Sequence, residues 1–361
     1  MVKLFLLAGP DAPDVEELIS LPEGMYVVGT GRPRQECAGE RSSWYSWSCA
    51  VVTVALLIQA VDSVDNLPGW TDQQWAQVDI VFREGTGKTA ATKEELQEIW
   101  PKLTGLKWLH SNLAGIESLM IPELLSSSVT VTNCKGAYNQ SLAEWAIAAC
   151  CWFAKDLPRL LAQKAAHKWE PYYVEELRGK TLGIIGFGGI GQETAHIARA
   201  FKMKIVALRR QTQVSEENSQ PHLKVYSPDK LHALMAESDY IVAAMPFTPS
   251  THKLIDAEAI CCMKRTGVLI NVGRGQTIDE NALIEALQEK RIRGAGLDVT
   301  YAEPLPQDSP LWDLDNVLLS PHSAVRGETI FTAPKQQFDK LAKLFMQGKE
   351  LFNIVDVKAG Y

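Results

Sequence analysis

The sequence predicts an α/β protein made of doubly wound parallel sheets in two domains. Three observations carry this reading. With 361 residues the chain exceeds what one typical hydrophobic core serves, so two domains are the natural expectation. Short apolar, strand-like runs alternate with helix-like stretches along most of it, the pattern of parallel strands joined by helical crossovers. Residues 181–195 (T-L-G-I-I-G-F-G-G-I-G-Q-E-T-A) pass from β-branched and small apolar residues into a G-x-G-x-x-G formed by Gly186, Gly188 and Gly191. The fold class expected is therefore two Rossmann-like domains with a cleft between them.

In the first part of the chain, residues 2–8, 78–82, 106–110 and 129–132 read as short buried strands, and 94–100 and 118–125 as helical connections. Met1 leads almost directly into the first strand, so neither a signal nor a transit peptide is expected. The apolar run 49–61 is too short to span a bilayer and reads as a buried helix or strand. The piece R-E-G-T-G-K-T at 83–89 invites a phosphate-loop reading. Phe82 stands where the leading glycine would be and no helix follows closely, so it is read as a loop. Residues 141–161 suit one long helix, and a polar connection at 164–176 leads to the glycine fingerprint. Beyond it, 204–208, 241–244, 268–271, 295–299 and 317–320 read as strands, 280–290 as a helix, and 327–347 as a last helix free to return to the first domain. The boundaries drawn are 1–140 for a substrate-binding domain completed by 326–361, and 141–325 for a dinucleotide-binding domain.

The fingerprint residues have separate tasks. Gly186 takes the tight strand-to-helix turn, Gly188 lets a pyrophosphate approach the backbone, and Gly191 lets the new helix pack closely on its strand. With Gly189 and Ile190 they open a helix whose unpaired N–H groups and positive dipole end face the phosphates. About 20 residues on, an NAD-binding strand would end in an acid that holds the ribose hydroxyls. This chain has Arg209 and Arg210 there. An arginine pair welcomes a 2′-phosphate, so NADP(H) is preferred over NAD(H), which remains possible; two solvated surface arginines are the alternative.

A net charge of −7 offers no basic face to nucleic acid or to an anionic membrane. Seven cysteines, with adjacent pairs at Cys150–Cys151 and Cys261–Cys262 and no C-x-x-C, argue against a disulfide framework or a zinc site. They fit a reducing compartment, so a cytoplasmic location and no metal are expected.

Three further stretches fall at strand ends, where open α/β sheets place their ligands: L-I-N-V-G-R-G-Q-T around Arg274, G-L-D-V-T-Y-A-E-P with Asp298 and Glu303, and L-L-S-P-H-S-A with His322. Taken singly, Arg274 caps a turn as readily as it grips an anion. His322 is as readily structural as catalytic, and Glu303 before Pro304 reads first as a solvated loop acid.

Taken together, and in this order after the fingerprint, they resemble the D-isomer-specific 2-hydroxyacid dehydrogenases, which include glyoxylate/hydroxypyruvate reductases, phosphoglycerate dehydrogenase and formate dehydrogenase. The resemblance runs from about Leu103 to the C-terminus through P-K-L-T-G-L-K-W-L-H-S-N-L-A-G-I-E, V-T-N-C-K-G, L-A-E-W, the fingerprint, and M-P-F-T-P-S-T-H. It implies that Arg274 binds the substrate carboxylate, that His322 is the acid/base and that Glu303 orients and polarises it. It implies further that Asp298 lies near the nicotinamide, that Pro246 and Thr251 belong to the cofactor site, and that backbone amides at Ala114 and Gly115 hold the substrate carboxylate.

The chemistry suits these residue types. Reducing a 2-keto acid needs a hydride at carbon and a proton at oxygen, and a histidine titrating near neutrality supplies the proton. A neighbouring carboxylate favours the protonated ring and fixes its tautomer. A guanidinium grips a carboxylate in a fork and sits near the developing alkoxide.

The expected activity is reduction of a small 2-keto acid of glyoxylate or hydroxypyruvate type to the D-2-hydroxy acid, by a homodimer. A glutamine stands in formate dehydrogenases where this chain has Glu303, which disfavours that activity. The alternatives are a phosphoglycerate dehydrogenase and a dinucleotide-sensing, co-repressor-like binding protein on the same fold. The chain departs from the resemblance before Leu103, where a segment within 30–72 is longer than the family's first domain calls for.

Overall fold

The computed structural model describes residues 4–7, 25–27, 54–56, 71–83, 92–210, 223–327 and 329–358. The loop expected at 84–89 and most of the extra segment within 30–72 lie outside these. The chain divides into two compact units, residues 1–137 together with 328–361, and residues 138–327.

In the first unit, strands β1 (Leu4–Leu7), β4 (Ile80–Arg83), β5 (Trp108–Ser111) and β6 (Thr130–Thr132) form one parallel sheet in the order β1-β4-β5-β6. Strands β2 (Met25–Val27) and β3 (Val54–Leu56) form a separate parallel pair. The helices are short: α1 (Asp72–Trp75), α2 (Lys93–Ile99) and α3 (Pro122–Leu125). A capping box sets the start of α2. The Thr92 hydroxyl accepts the Glu95 N–H at 3.1 Å, and the Glu95 carboxylate accepts the Thr92 N–H at 2.6 Å. Leu96 and Ile99 then turn inward onto a core with Val81, Leu109, Leu119, Leu124 and Val131. The single helical connection expected at 118–125 is instead a 3₁₀ turn, Glu117–Leu119, followed by α3. Pro122 is the reason: it suits a first helical turn, and it keeps the preceding Ile121 extended at ψ 150°. The last helix, Thr329–Met346, belongs to this unit.

The second unit opens with α4 (Asn139–Ala154) and α5 (Leu157–Ala165). One long helix was expected here. The chain breaks it at Asp156, which is left-handed at φ 49°, and Pro158 starts the new helix. A proline cannot continue a helix because it lacks the N–H and crowds the preceding turn. Then follow β7 (Thr181–Ile185), α6 (Gly189–Ala200), β8 (Lys204–Leu208), β9 (Lys224–Tyr226), α7 (Leu231–Glu237), β10 (Tyr240–Ala243), α8 (Ala257–Cys261), β11 (Val268–Asn271), α9 (Glu280–Gln288), β12 (Gly294–Leu297) and β13 (Val317–Leu319).

All seven strands of this unit are parallel, in the order β13-β12-β11-β10-β7-β8-β9. The chain winds outward from β7 to β9, returns to the other side of β7 as β10, and winds outward again. The strand order therefore reverses between β7 and β10. At such a point neighbouring loops diverge to opposite faces and leave a crevice at the carboxyl ends of the strands. The strands read as continuous apolar runs because both faces are covered. Ile184, Ile241, Ile270 and Ala295 are fully buried.

Candidate active site

At the reversal point the fingerprint glycines have measurable reasons to be glycine. Gly186 sits at φ 96°, a left-handed conformation that a side chain resists, and a Cβ there would stand 2.8 Å from the Ala244 carbonyl oxygen. A Cβ on Gly191 would stand 2.5 Å from the Gly186 carbonyl oxygen and 2.9 Å from an Ile184 methyl, so its absence lets α6 lie against β7. At Gly188 the same test meets nothing within 4 Å. That open flank lies at the α6 N-terminus, where the Gly188 carbonyl accepts its first intrahelical bond, from Gln192 at 2.9 Å. The N–H groups of Gly189, Ile190 and Gly191 precede that bond and have no partner in the helix. Helix α4 closes in beside them, with the Asn139 amide against Gly189. Open space, three amide donors and a positive helix end fit a dinucleotide pyrophosphate.

The neighbouring strand end carries the arginines. The Gly186 N–H bonds the Leu208 carbonyl at 3.0 Å, so Arg209 and Arg210 follow directly beside the fingerprint turn. After β10, the Thr251 hydroxyl donates to the Pro246 carbonyl at 2.8 Å and accepts the Thr248 N–H at 2.7 Å. Thr251 thus shapes the 246–251 loop, and Pro246 supplies the carbonyl it holds.

The remaining residues come from the ends of β11, β12 and β13. The turn after β11 is an Asx-type turn. The Asn271 side chain accepts the Gly273 N–H at 3.0 Å and donates to the Arg274 carbonyl at 3.0 Å, and Thr277 donates to the same carbonyl at 2.6 Å. Gly275 lies flush against the Thr300 carbonyl, with no space for a Cβ. The Arg274 turn and the 300–303 loop therefore touch. Tyr301 joins them twice more, its N–H bonding Glu280 at 2.7 Å and its carbonyl accepting Gln276 at 2.8 Å.

In that loop the Glu303 carboxylate accepts the Thr300 N–H at 3.2 Å with one oxygen, and its other oxygen lies 2.7 Å from His322 Nδ1. Both side chains stay partly open, His322 at 44% and Glu303 at 38% exposure. Burial works against ionising Glu303. The hydrogen bond and charge of His322, the Thr300 N–H and the Arg274 charge outweigh it and hold the carboxyl below its ordinary value. His322 itself adopts a left-handed backbone at φ 51°, fixed by its N–H bonds to the Asp298 and Ser320 carbonyls at 2.9 and 3.0 Å.

Asp298 is buried at 1% exposure. One of its oxygens accepts three bonds, from the Ser320 hydroxyl at 2.7 Å and from the N–H groups of Ser323 and Ala324 at 2.9 and 3.0 Å. Its other oxygen, Oδ2, has no hydrogen-bond partner among the described residues. A buried carboxylate oxygen left so calls for a donor, and the carboxamide of a nicotinamide is one.

Ala114 and Gly115 belong to the first unit, in the bend that follows β5. Ala114 is exposed, and its carbonyl accepts the Asn133 side-chain amide at 2.6 Å. Sequence reasoning missed Asn133, as it missed Asn271, Thr300 and Ser320. The asparagine two residues before a glycine in N-V-G-R-G and the one before C-K-G were the available signals, since asparagine side chains make such turns. Among the described residues, no group of three His, Cys, Asp or Glu side chains is placed to hold a metal, and no helix is long and apolar enough to cross a membrane.

Comparison with known proteins identifies the family. Residues 147–324 match the model of the D-isomer specific 2-hydroxyacid dehydrogenase NAD binding domain. The chain is 34% identical over 256 residues to the glyoxylate reductase of Pyrococcus horikoshii, covering 68% of this chain and 74% of that one. It is 30% identical over 308 residues to the D-3-phosphoglycerate dehydrogenase of Methanocaldococcus jannaschii, covering 83% of this chain and 57% of that one. Among solved structures, a D-isomer specific 2-hydroxyacid dehydrogenase of Xanthobacter autotrophicus, in complex with NADPH and MES, superposes with a TM-score of 0.72 at 25% identity, covering 85% and 91% of the two chains. The chain belongs to the D-isomer-specific 2-hydroxyacid dehydrogenases, NAD(P)-dependent oxidoreductases acting on CH–OH groups.

Proposed function

We propose that this protein reduces a small 2-keto acid, of glyoxylate or hydroxypyruvate type, to the D-2-hydroxy acid with a preference for NADPH. The observation that carries this reading is the 2.7 Å His322–Glu303 pair beside the Arg274 turn, at the strand ends of a sheet whose fingerprint is open to a dinucleotide. The relative from Pyrococcus horikoshii supports the substrate class.

In this reading Gly186, Gly188, Gly189, Ile190 and Gly191 hold the pyrophosphate. Arg209 and Arg210 hold the 2′-phosphate, as the NADPH of the Xanthobacter structure supports. Bound nicotinamide supplies the hydride. Asp298 Oδ2, left without a partner among the described residues, would accept from its carboxamide and help to hold it. Arg274 grips the substrate carboxylate, and the amides of Ala114 and Gly115 are a second contact for it. With Nδ1 against Glu303, His322 turns Nε2 toward the keto oxygen and gives it the proton. The carboxylate of Glu303 keeps the ring in that tautomer.

The test is the purified protein with NADPH and a panel of glyoxylate, hydroxypyruvate, pyruvate and 3-phosphohydroxypyruvate, followed by loss of nicotinamide absorbance. Fastest turnover of 3-phosphohydroxypyruvate would replace this reading with the second one, which the relative from Methanocaldococcus jannaschii favours. NADPH binding without turnover of any keto acid would favour the dinucleotide-sensing alternative.

The proposal extends to a homodimer in the cytoplasm. The free cysteines Cys134, Cys150, Cys151, Cys261 and Cys262 support a reducing compartment. Trp169 and Tyr173, fully exposed, and the half-exposed Leu160 and Leu161, all within residues 160–173, support a partner surface. Trp169→Ser should weaken dimers in sedimentation equilibrium; a monomeric parent protein would dispose of the dimer.

A further inference from the structure

We infer that Asn133 is a positioning residue for substrate: it aims the backbone amides of Ala114 and Gly115 at the substrate carboxylate. The inference rests on the assignment of those amides to carboxylate binding and adds the part that orients them.

The argument is geometric. A trans peptide is planar, with its C=O and the next N–H pointing in opposite directions. The Leu113 carbonyl is held by the Cys134 N–H at 3.0 Å, and the Ala114 carbonyl by the Asn133 side-chain amide at 2.6 Å. Two consecutive carbonyls are thus drawn toward residues 133–134. The N–H groups of the same two planes, those of Ala114 and Gly115, are turned to the opposite side. Neither donates a hydrogen bond among the described residues. Adjacent amides aimed together form an anion-binding concavity.

Asn133 is built for the task. Its side chain is 4% exposed, and its oxygen accepts the Lys135 N–H at 3.1 Å, which leaves the amide nitrogen directed at Ala114. The backbone around it is anchored as well. The Asn353 amide donates to the Lys135 carbonyl at 2.7 Å and Gln337 donates to it at 2.9 Å. The hydrogen bond to Ala114 therefore starts from a fixed point.

The experiment compares Asn133→Asp and Asn133→Leu with the parent protein. Asp keeps the acceptor for Lys135 and loses the donor; Leu keeps the branched shape, loses both polar atoms and adds no charge. In both, KM for the keto acid should rise roughly tenfold or more, since a hydrogen bond to a charged group weakens when its donor is misaimed. KM for NADPH and the pH profile of kcat should not change. With an aldehyde substrate that lacks a carboxylate, kcat/KM of the variants should match the parent. A loss as large on the aldehyde as on the keto acid, or a shift in KM for NADPH, would mean general disruption and overturn the inference.

Gly115→Pro, which deletes one of the two N–H groups, separates this inference from its premise. A raised KM in Gly115→Pro with parent values in both Asn133 variants overturns the role of Asn133 alone. Parent values in all three variants overturn the carboxylate assignment and the inference with it. Should Asn133→Leu fail to fold, Asn133→Asp measured at two pH values carries the test.

Discussion

Two imidazoles in this molecule make opposite use of the same ring. His322 lies 44% exposed against an ionised carboxylate. His110, in β5 of the other unit, is wholly buried among Phe82, Trp108 and Phe338, with ring centroids 5.2–5.9 Å away. Its nitrogens meet neutral partners, the Thr132 hydroxyl at 2.7 Å and the Cys134 sulfur at 3.6 Å. Burial alone drives its pKa down to about 3. A ring so placed stays neutral at any working pH, so it serves as a hydrogen-bonding strut. The difference teaches that the proposed proton donor has a counter-charge and access to water together, while the closely packed ring has neither.

The largest expected effect breaks the comparison at its active side. His322→Ala should lose about 10²–10⁴ in kcat, the range for general acid–base catalysis, while NADPH binding followed by fluorescence is retained. Near-parent turnover would remove the histidine from the mechanism. Lost NADPH affinity with turnover retained would make it structural.

At the buried side the effect is on stability. The folded pKa of His110 is depressed below the unfolded value, so its contribution is complete above about pH 6.5 and is lost as pH falls toward 3. Over that window the loss amounts to roughly 3–5 kcal/mol. Denaturant unfolding at pH 7, 6, 5 and 4 should show it in the parent and less of it in His110→Gln. Parallel curves for the two proteins would refute the account.

Arg209→Asp sharpens the assignment of the cofactor strand end. The ratio of kcat/KM for NADPH over NADH should fall by about tenfold or more and invert, since a charged hydrogen bond is replaced by repulsion. A parent protein that prefers NADH would place the arginines outside the cofactor site.

The smallest effect is a displaced pH profile. Because the Glu303 carboxyl is held below its ordinary value, it stays ionised through neutral solution. In the proposed mechanism reduction takes its proton from the His322 ring and the reverse oxidation returns it there, so the pH profiles of the two directions should run oppositely. Glu303→Gln, which removes the charge facing the ring, should move both profiles to lower pH. Unchanged profiles would mean that Glu303 holds the loop and not the charge. As a carboxyl with a lowered folded pKa, Glu303 adds stability above its unfolded value, and that share is lost as pH falls through the folded one.

How much of this was readable from residue order depends on how local the cause is. The fingerprint turn was legible because a left-handed Gly186 and a crowded Gly191 leave their mark on single positions. Strands β8 and β11 were legible to the residue because apolar runs end at charged or glycine neighbours. The break at Asp156 was not, although Pro158 announced it, because the apolar pattern runs through both helices in phase. The His322–Glu303 pair joins loops 19 positions apart. Residue types alone left each member ambiguous, and only the order of motifs joined them. Asn133 was harder to read: its residue type hints at a turn, but its partner is a backbone carbonyl, which has no letter in the sequence.

The contact between Gly275 and the Thr300 carbonyl limits how this enzyme can be redesigned or can diverge. No methyl fits there, so every amino-acid substitution at 275 must push the Arg274 turn and the 300–303 loop apart. A saturation library at 275 should return only glycine among active clones, whatever the selecting substrate. New substrate preferences must therefore be sought by varying side chains that face the substrate's tail, while the ring of contacts around Arg274 is inherited as a single block.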